Sequence, residues 1–142
     1  MPDALTVALG RTTRMEALFT GAVADPALPL DLPAISPISR AFAPMVREGR
    51  YPVSEMAIAT FLMAKAAGTP LVLLPCVLMA RFQEGALLVP EASPIRAPEE
   101  LRGKQVGVRA YSQTTGMWIR GVLQTRHGLP PDAMRWTTFE DA

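Results

Sequence analysis

Apolar positions along the chain repeat with two periods, and the switches between them mark the elements. Leu5-Thr6-Val7-Ala8-Leu9 is a β-rich run closed by Gly10, and Gln105-Val106-Gly107-Val108 is a second; both predict strands. Met15, Leu18 and Phe19 recur at helical spacing within 13–20 and stop at Gly21. Ile38, Phe42, Met45 and Val46 make another helical stripe ended by Gly49, and Met56 to Ala67 is a strongly apolar helix ended by Gly68. The spacing predicts a further helix over about 114–127. Leu30-Asp31-Leu32 suits a short edge strand, Tyr51-Pro52-Val53-Ser54 a brief one, and Met134-Arg135-Trp136-Thr137 a final one. By length and flanks, Leu71–Pro75 and Ala86–Val89 read as fully buried strands. Pro98–Leu101 is one helical turn, with proline suited to its first position, and Pro130–Ala133 starts a turn.

Strands alternating with helices imply an α/β architecture with a largely parallel sheet. Ligands of such sheets gather at the carboxyl ends of strands, in the loops that lead into helices. That rule selects Arg11-Thr12-Thr13-Arg14, Ser54-Glu55-Met56 and Ser112-Gln113-Thr114-Thr115. The fourteen prolines include clusters at 26–37, 90–98 and 130–131. The cluster at 90–98 is the best boundary, dividing 1–90 from the strand-turn-helix unit within 91–142. No internal repeat or low-complexity tract appears.

Composition narrows the function classes. Of 142 residues 49% are apolar, which supports a buried core, and net charge is +1 with acids and bases interspersed. That balance gives no electrostatic footprint for nucleic acid or an anionic membrane, and no stretch approaches the ~20 apolar residues of a membrane span. One cysteine and one histidine exclude a conventional structural zinc site. Cys76 lies in an apolar run and is expected to be a small core hydrophobe; His127 is expected to be a cation near a helix C-terminus. Neither Gly-x-x-x-x-Gly-Lys-Ser/Thr nor GxGxxG occurs, and neither a cofactor nor a metal is assigned. The N-terminus enters a strand with no basic n-region followed by an apolar h-region. The expectation is a cytoplasmic protein, or a periplasmic one had a leader been trimmed.

The three loops carry the candidate chemistry. Ser112, Thr114 or Thr115 would serve as an N-cap at ~1 kcal/mol, but Tyr111-Ser112-Gln113-Thr114-Thr115-Gly116 holds more side-chain hydrogen-bonders than a cap needs. Helix N-terminal amides with added hydroxyls suit a carboxylate, phosphate or sulfate. From this stretch alone, capping and ligand contact stand level. Arg11 and Arg14 flank two threonines, and a forked guanidinium near a helix start suits carboxylate; local pattern alone favours two solvated helix ends. Glu55 meets the start of an apolar helix, where an acid favours the dipole; buried in a cleft it would be a general acid or a substrate hydrogen-bonder. Arg81-Phe82 faces a ligand or marks a crossing between lobes. Met117 and Trp118 suit a pocket lining, though core packing is the commoner fate.

Glu55-Met56 after a short strand, Leu74-Pro75 before Arg81-Phe82, Leu101-Arg102-Gly103-Lys104-Gln105-Val106-Gly107-Val108 and Trp118-Ile119-Arg120-Gly121-Val122-Leu123 together resemble the 4,5-dihydroxyphthalate decarboxylase family. That family is similar to the type 2 periplasmic solute-binding proteins of ABC transporters. The Trp118-to-Leu123 run is the most specific part. The resemblance implies two α/β lobes with mainly parallel sheets around a substrate cleft, in chains about twice this length. This sequence would then hold the front of lobe one and the start of lobe two. Where the family often has an acid-rich Asp-Tyr-Asp-Arg type loop, this chain has Gly10-Arg11-Thr12-Thr13-Arg14, so an acid carried there would be lost.

The implied chemistry is aryl decarboxylation. The ring carbon bearing carboxylate is protonated, a para hydroxyl donates electrons, and cations or amides hold the second carboxylate. On that resemblance Glu55 is the candidate catalytic acid, while Arg11, Thr12, Arg14, Ser54, Arg81, Ser112, Gln113, Thr114 and Thr115 are candidate substrate contacts. The substrate class is a small aromatic dicarboxylate. The alternative is a non-catalytic solute-binding protein for a small anion, which would use the same loops. A third reading is a truncated product without either activity, self-associated through an exposed sheet edge into a homo-oligomer.

Overall fold

A computed structural model of the chain describes residues 3–139; Met1, Pro2 and the terminal Glu140-Asp141-Ala142, where the sequence offered no closing element, lie outside those residues. The fold is α/β with parallel strand pairs throughout. It forms two compact units, one running to Leu74 and the other starting at Pro75.

In the first unit, strand β1 (Leu5–Ala8) lies between β2 (Leu30–Asp31) and β3 (Val53–Ser54). The registers pair Leu5 with Leu30, Val7 with Val53 and Ala8 with Ser54. β1 is central because it alone presents a run of small and branched apolar residues to both neighbours, and Val7 and Ala8 are buried. β2 is the edge strand expected at Leu30, where Asp31 accepts a hydrogen bond from Thr6 Oγ1 at 3.0 Å. Helix α1 is a single turn, Glu16–Phe19. Helix α2 (Phe42–Glu48) continues a 3-10 turn over Ile38–Ala41. It closes on Gly49 at φ 62°, whose N–H donates to Met45 O; a left-handed residue there falls to glycine because no Cβ opposes it. Helix α3 (Ile58–Ala66) buries Ala59 and Ala64.

The second unit is a right-sized crossover: β4 (Gln105–Val108), α4 (Thr114–His127), then β5 (Arg135–Thr138) parallel to β4, with Val106 opposite Trp136 and Val108 opposite Thr138. Ile119 and Leu123, one helical turn apart on α4, pack with Leu101, Leu129 and Met134 into the core, and Leu87, Ile95, Val106 and Trp136 lie against it. α4 ends at Gly128, φ 60°, and the Leu129 N–H donates to Leu123 O at 3.0 Å. That bond turns the chain sharply and sends Leu129 back into the core.

Two expected strands are absent. Leu71–Pro75 and Ala86–Val89 are not strands and not buried: Val72 is 84% exposed, Leu73 59% and Leu88 83%, and Ala86 closes a 3-10 turn over Glu84–Ala86. An apolar β-rich run becomes a strand only when a neighbour completes its ladder, and Pro75 removes one donor besides. Cys76, expected in the core, is exposed for the same reason. Trp118 is also half exposed. The Pro-rich passage at 90–98 runs within the second unit, where the Ser93 N–H closes a turn on Pro90 O.

His127 occupies the last turn of α4, as expected, and its Nδ1 lies 2.7 Å from Glu99 Oε1. The hydrogen bond from His127, then one from the Glu99 backbone, holds the Glu99 carboxyl below its ordinary value of 4.5. A depressed carboxyl contributes stability that is fully present above the ordinary value and lost as pH falls through the folded one. Glu99→Gln should therefore narrow the gap between urea midpoints measured near pH 7 and about pH 3.5. The narrowing will be small, because both groups meet solvent.

Candidate functional site

The carboxyl ends of β1 and β3 emerge side by side, since Ala8 pairs with Ser54. This brings Glu55 to the first loop: its N–H donates to Ala8 O at 2.7 Å, and its Oε2 accepts from the Gly10 N–H at 3.0 Å. Gly10 permits that approach, because a Cβ there would stand 3.1 Å from the same oxygen and 3.5 Å from Ile38. Ser54 Oγ donates to Glu55 O at 2.8 Å. Glu55 is not in the first turn of a helix, as the sequence suggested: α3 starts at Ile58, and the carboxylate serves the β1 loop instead.

The arginines of that loop are placed differently. Arg11 is exposed and forks onto Glu16, with Nε 2.9 Å from Oε2, while its guanidinium lies 5.4 Å from the Phe19 ring centre. Thr12 is exposed and its carbonyl accepts the Met15 N–H, opening α1; Arg14 is exposed. The local pattern, two solvated helix ends, describes Arg11 better than a carboxylate clamp does.

In the second unit β4 delivers the chain to the polar stretch before α4. A cavity of about 250 Å³ opens there, lined by Arg81, Arg109, Gln113 and Thr115 on its polar side and by Leu87 and Trp136 among its apolar walls. Arg81 Nη2 donates to Thr115 Oγ1 at 3.0 Å. The cavity's lining includes Arg81 and Arg109 and no acidic residue among the described residues. Ser112 is exposed and Thr114 half-buried, and neither lines the cavity. The N-cap of α4 is Gln113, in extended conformation and with no side-chain cap bond. Capping by Ser112, Thr114 or Thr115 is thus replaced by a plain backbone start: the Gln113 carbonyl receives the Met117 N–H.

Arg109 and Trp136 escaped the sequence reading. The carboxyl-end rule points to Arg109, the residue after β4, but its neighbours drew attention to the hydroxyls beyond it. Trp136 had only the weak signal of an aromatic in a terminal strand. Among the described residues no group of three or more His, Cys, Asp or Glu is placed to hold a metal, and no helix is long and apolar enough to cross a membrane.

An α/β chain with parallel strands and a cation-lined, partly apolar cavity is the class these features define. No protein-family model matches the chain. It is similar to a 4,5-dihydroxyphthalate decarboxylase of Comamonas testosteroni, 28% identical over 96% of this chain and 42% of the relative. It is similar also to a 4,5-dihydroxyphthalate decarboxylase of Pseudomonas putida, 27% identical over 93% of this chain and 51% of the relative. These two relatives support the decarboxylase-like family suggested by the sequence motifs, and the chain spans about half their length.

Proposed function

We propose that the chain is part of a decarboxylase-like protein that binds a small aromatic dicarboxylate and removes one carboxylate as CO₂. The arrangement it belongs to is the two-lobed one of type 2 solute-binding proteins. The observation that carries the reading is the cavity of the second unit, where Arg81, Arg109, Gln113 and Thr115 share a lining with Leu87 and Trp136. Guanidinium groups and a hydroxyl suit a carboxylate, the apolar walls suit a ring, and about 250 Å³ suits a ligand of one ring rather than a larger one. Glu55 is the proton donor in this reading. The ring carbon takes its proton, the bond to the carboxylate breaks, its electron pair returns to the ring, and solvent restores the acid.

A non-catalytic anion binder is the second reading. One observation favours it: Arg11, assigned to a carboxylate by resemblance, is engaged by Glu16. Calorimetry with phthalate tests the common element of both. Arg81→Ala should weaken binding about tenfold, the usual worth of one charge-assisted hydrogen bond. Unchanged affinity would remove the cavity from either reading. CO₂ release from 4,5-dihydroxyphthalate, abolished by Glu55→Gln, separates enzyme from binder.

A further inference from the structure

Arg120 lies in the run that carries the family resemblance, yet it does not line the cavity. Its guanidinium stands 3.7 Å from the Tyr111 ring centre and 5.6 Å from that of Trp136, and Nη2 donates to the Tyr111 carbonyl at 2.7 Å. Tyr111 meets Trp136 edge to face, with centroids 6.1 Å apart. Trp136 is itself fixed by its Nε1–H donating to Pro131 O at 2.7 Å. One side chain from the second turn of α4 thus grips the residue that begins the approach to that helix and the aromatic wall of the cavity.

Its energetics are unusual for a stabilising residue. Nη1 is buried and donates to no acceptor among the described residues, and an unsatisfied buried donor opposes folding. A planar cation on two rings recovers part of that loss. Taken together, the contacts tie the Tyr111 loop to α4 and to Trp136.

We infer that Arg120 is a positioning residue, which holds Tyr111 and thereby sets Gln113 and Thr115 at the cavity. The inference rests on the anion-binding reading above for its functional meaning, and its test separates the two. Arg120→Met keeps an unbranched side chain against the rings but loses the charge and the bond to the Tyr111 carbonyl. Amide hydrogen exchange on the 142-residue chain reads Gln113 and Met117, whose N–H groups bond Ala110 O and Gln113 O. The expected result is exchange about tenfold faster at these two amides, with the melting temperature moved by less than about 3 °C. Phthalate should slow exchange of the same amides in the wild type, and do so at about tenfold higher concentration in the variant. Unaltered exchange at Gln113 and Met117 would overturn the inference. So would a collapse of protection across the whole second unit, or failure of the variant to fold, either of which would make Arg120 a structural residue. If phthalate protects nothing in the wild type while Arg120→Met still loosens the loop, the phthalate-binding reading fails and the positioning stands.

Discussion

Leu123→Ala should unfold the second unit under conditions where the wild type is folded. Leu123 is 2% exposed and lies among Leu101, Ile119, Leu129 and Met134. Its backbone carbonyl also receives the Leu129 N–H, so side chain and main chain hold the same corner. Truncating a buried leucine costs about 2–5 kcal/mol, the higher values applying where neighbours cannot collapse into the gap. Here Leu129 is fixed by the turn after Gly128 and Met134 leads into β5, so little collapse is available. Domains of this size have only about 3–5 kcal/mol to lose. Urea titration followed by tryptophan fluorescence and near-ultraviolet circular dichroism gives the check, with Trp136 packed against this core. A midpoint like the wild type's would mean that the cluster does not support the unit.

Gly116→Ala should destabilise the same unit by about 1–2 kcal/mol, although alanine is the better helix former by roughly 1 kcal/mol. Gly116 is buried on the face of α4 that meets β4. A Cβ there would come 2.9 Å from Val108 Cγ2, 3.4 Å from Arg120 Nη1 and 3.7 Å from Ala110 O. The first distance is too short for carbon against carbon. Val108 is β-branched and held in register opposite Thr138, so its methyl cannot swing aside cheaply. Overpacking of this kind costs about 1–3 kcal/mol, which outweighs the propensity gain. Val108→Ala removes the obstruction, so the double variant should be more stable than the two single losses added together, by about 1 kcal/mol. Additive losses in that cycle would place the strain elsewhere.

Local signals in the chain resolved some features well and others poorly. Helix α4 was legible, expected over about 114–127 and found at Thr114–His127, with a polar approach before it and Gly128 after it. The short strands β1 to β5 were legible because each has alternating or branched residues next to a turn signal. Leu71–Pro75 and Ala86–Val89 were misread because their composition is that of strands, whereas a ladder depends on what lies alongside. Cys76 followed the same error, since its burial was inferred from its neighbours. The carboxyl-end rule pointed to Gln113 and Thr115, and Arg81 was singled out only for following an apolar run; the three line one cavity. The bond from Gly10 to Glu55 joins residues 45 positions apart, and the grip of Arg120 on Trp136 crosses from helix to strand. No periodicity records such pairings; they follow from the parallel register of the strands.

The exposed apolar passage after Thr69 bears on how the chain behaves in bulk. A self-stacking β-zipper takes six or seven consecutive residues of high strand preference and no proline. Pro70 and Pro75 bracket Leu71-Val72-Leu73-Leu74 and leave four, and Cys76-Val77-Leu78-Met79-Ala80 gives only five before the charge of Arg81. Each piece falls short of the length that would seed a fibre. The prolines that deny this passage a place in a sheet of its own thus also deny it to a growing aggregate.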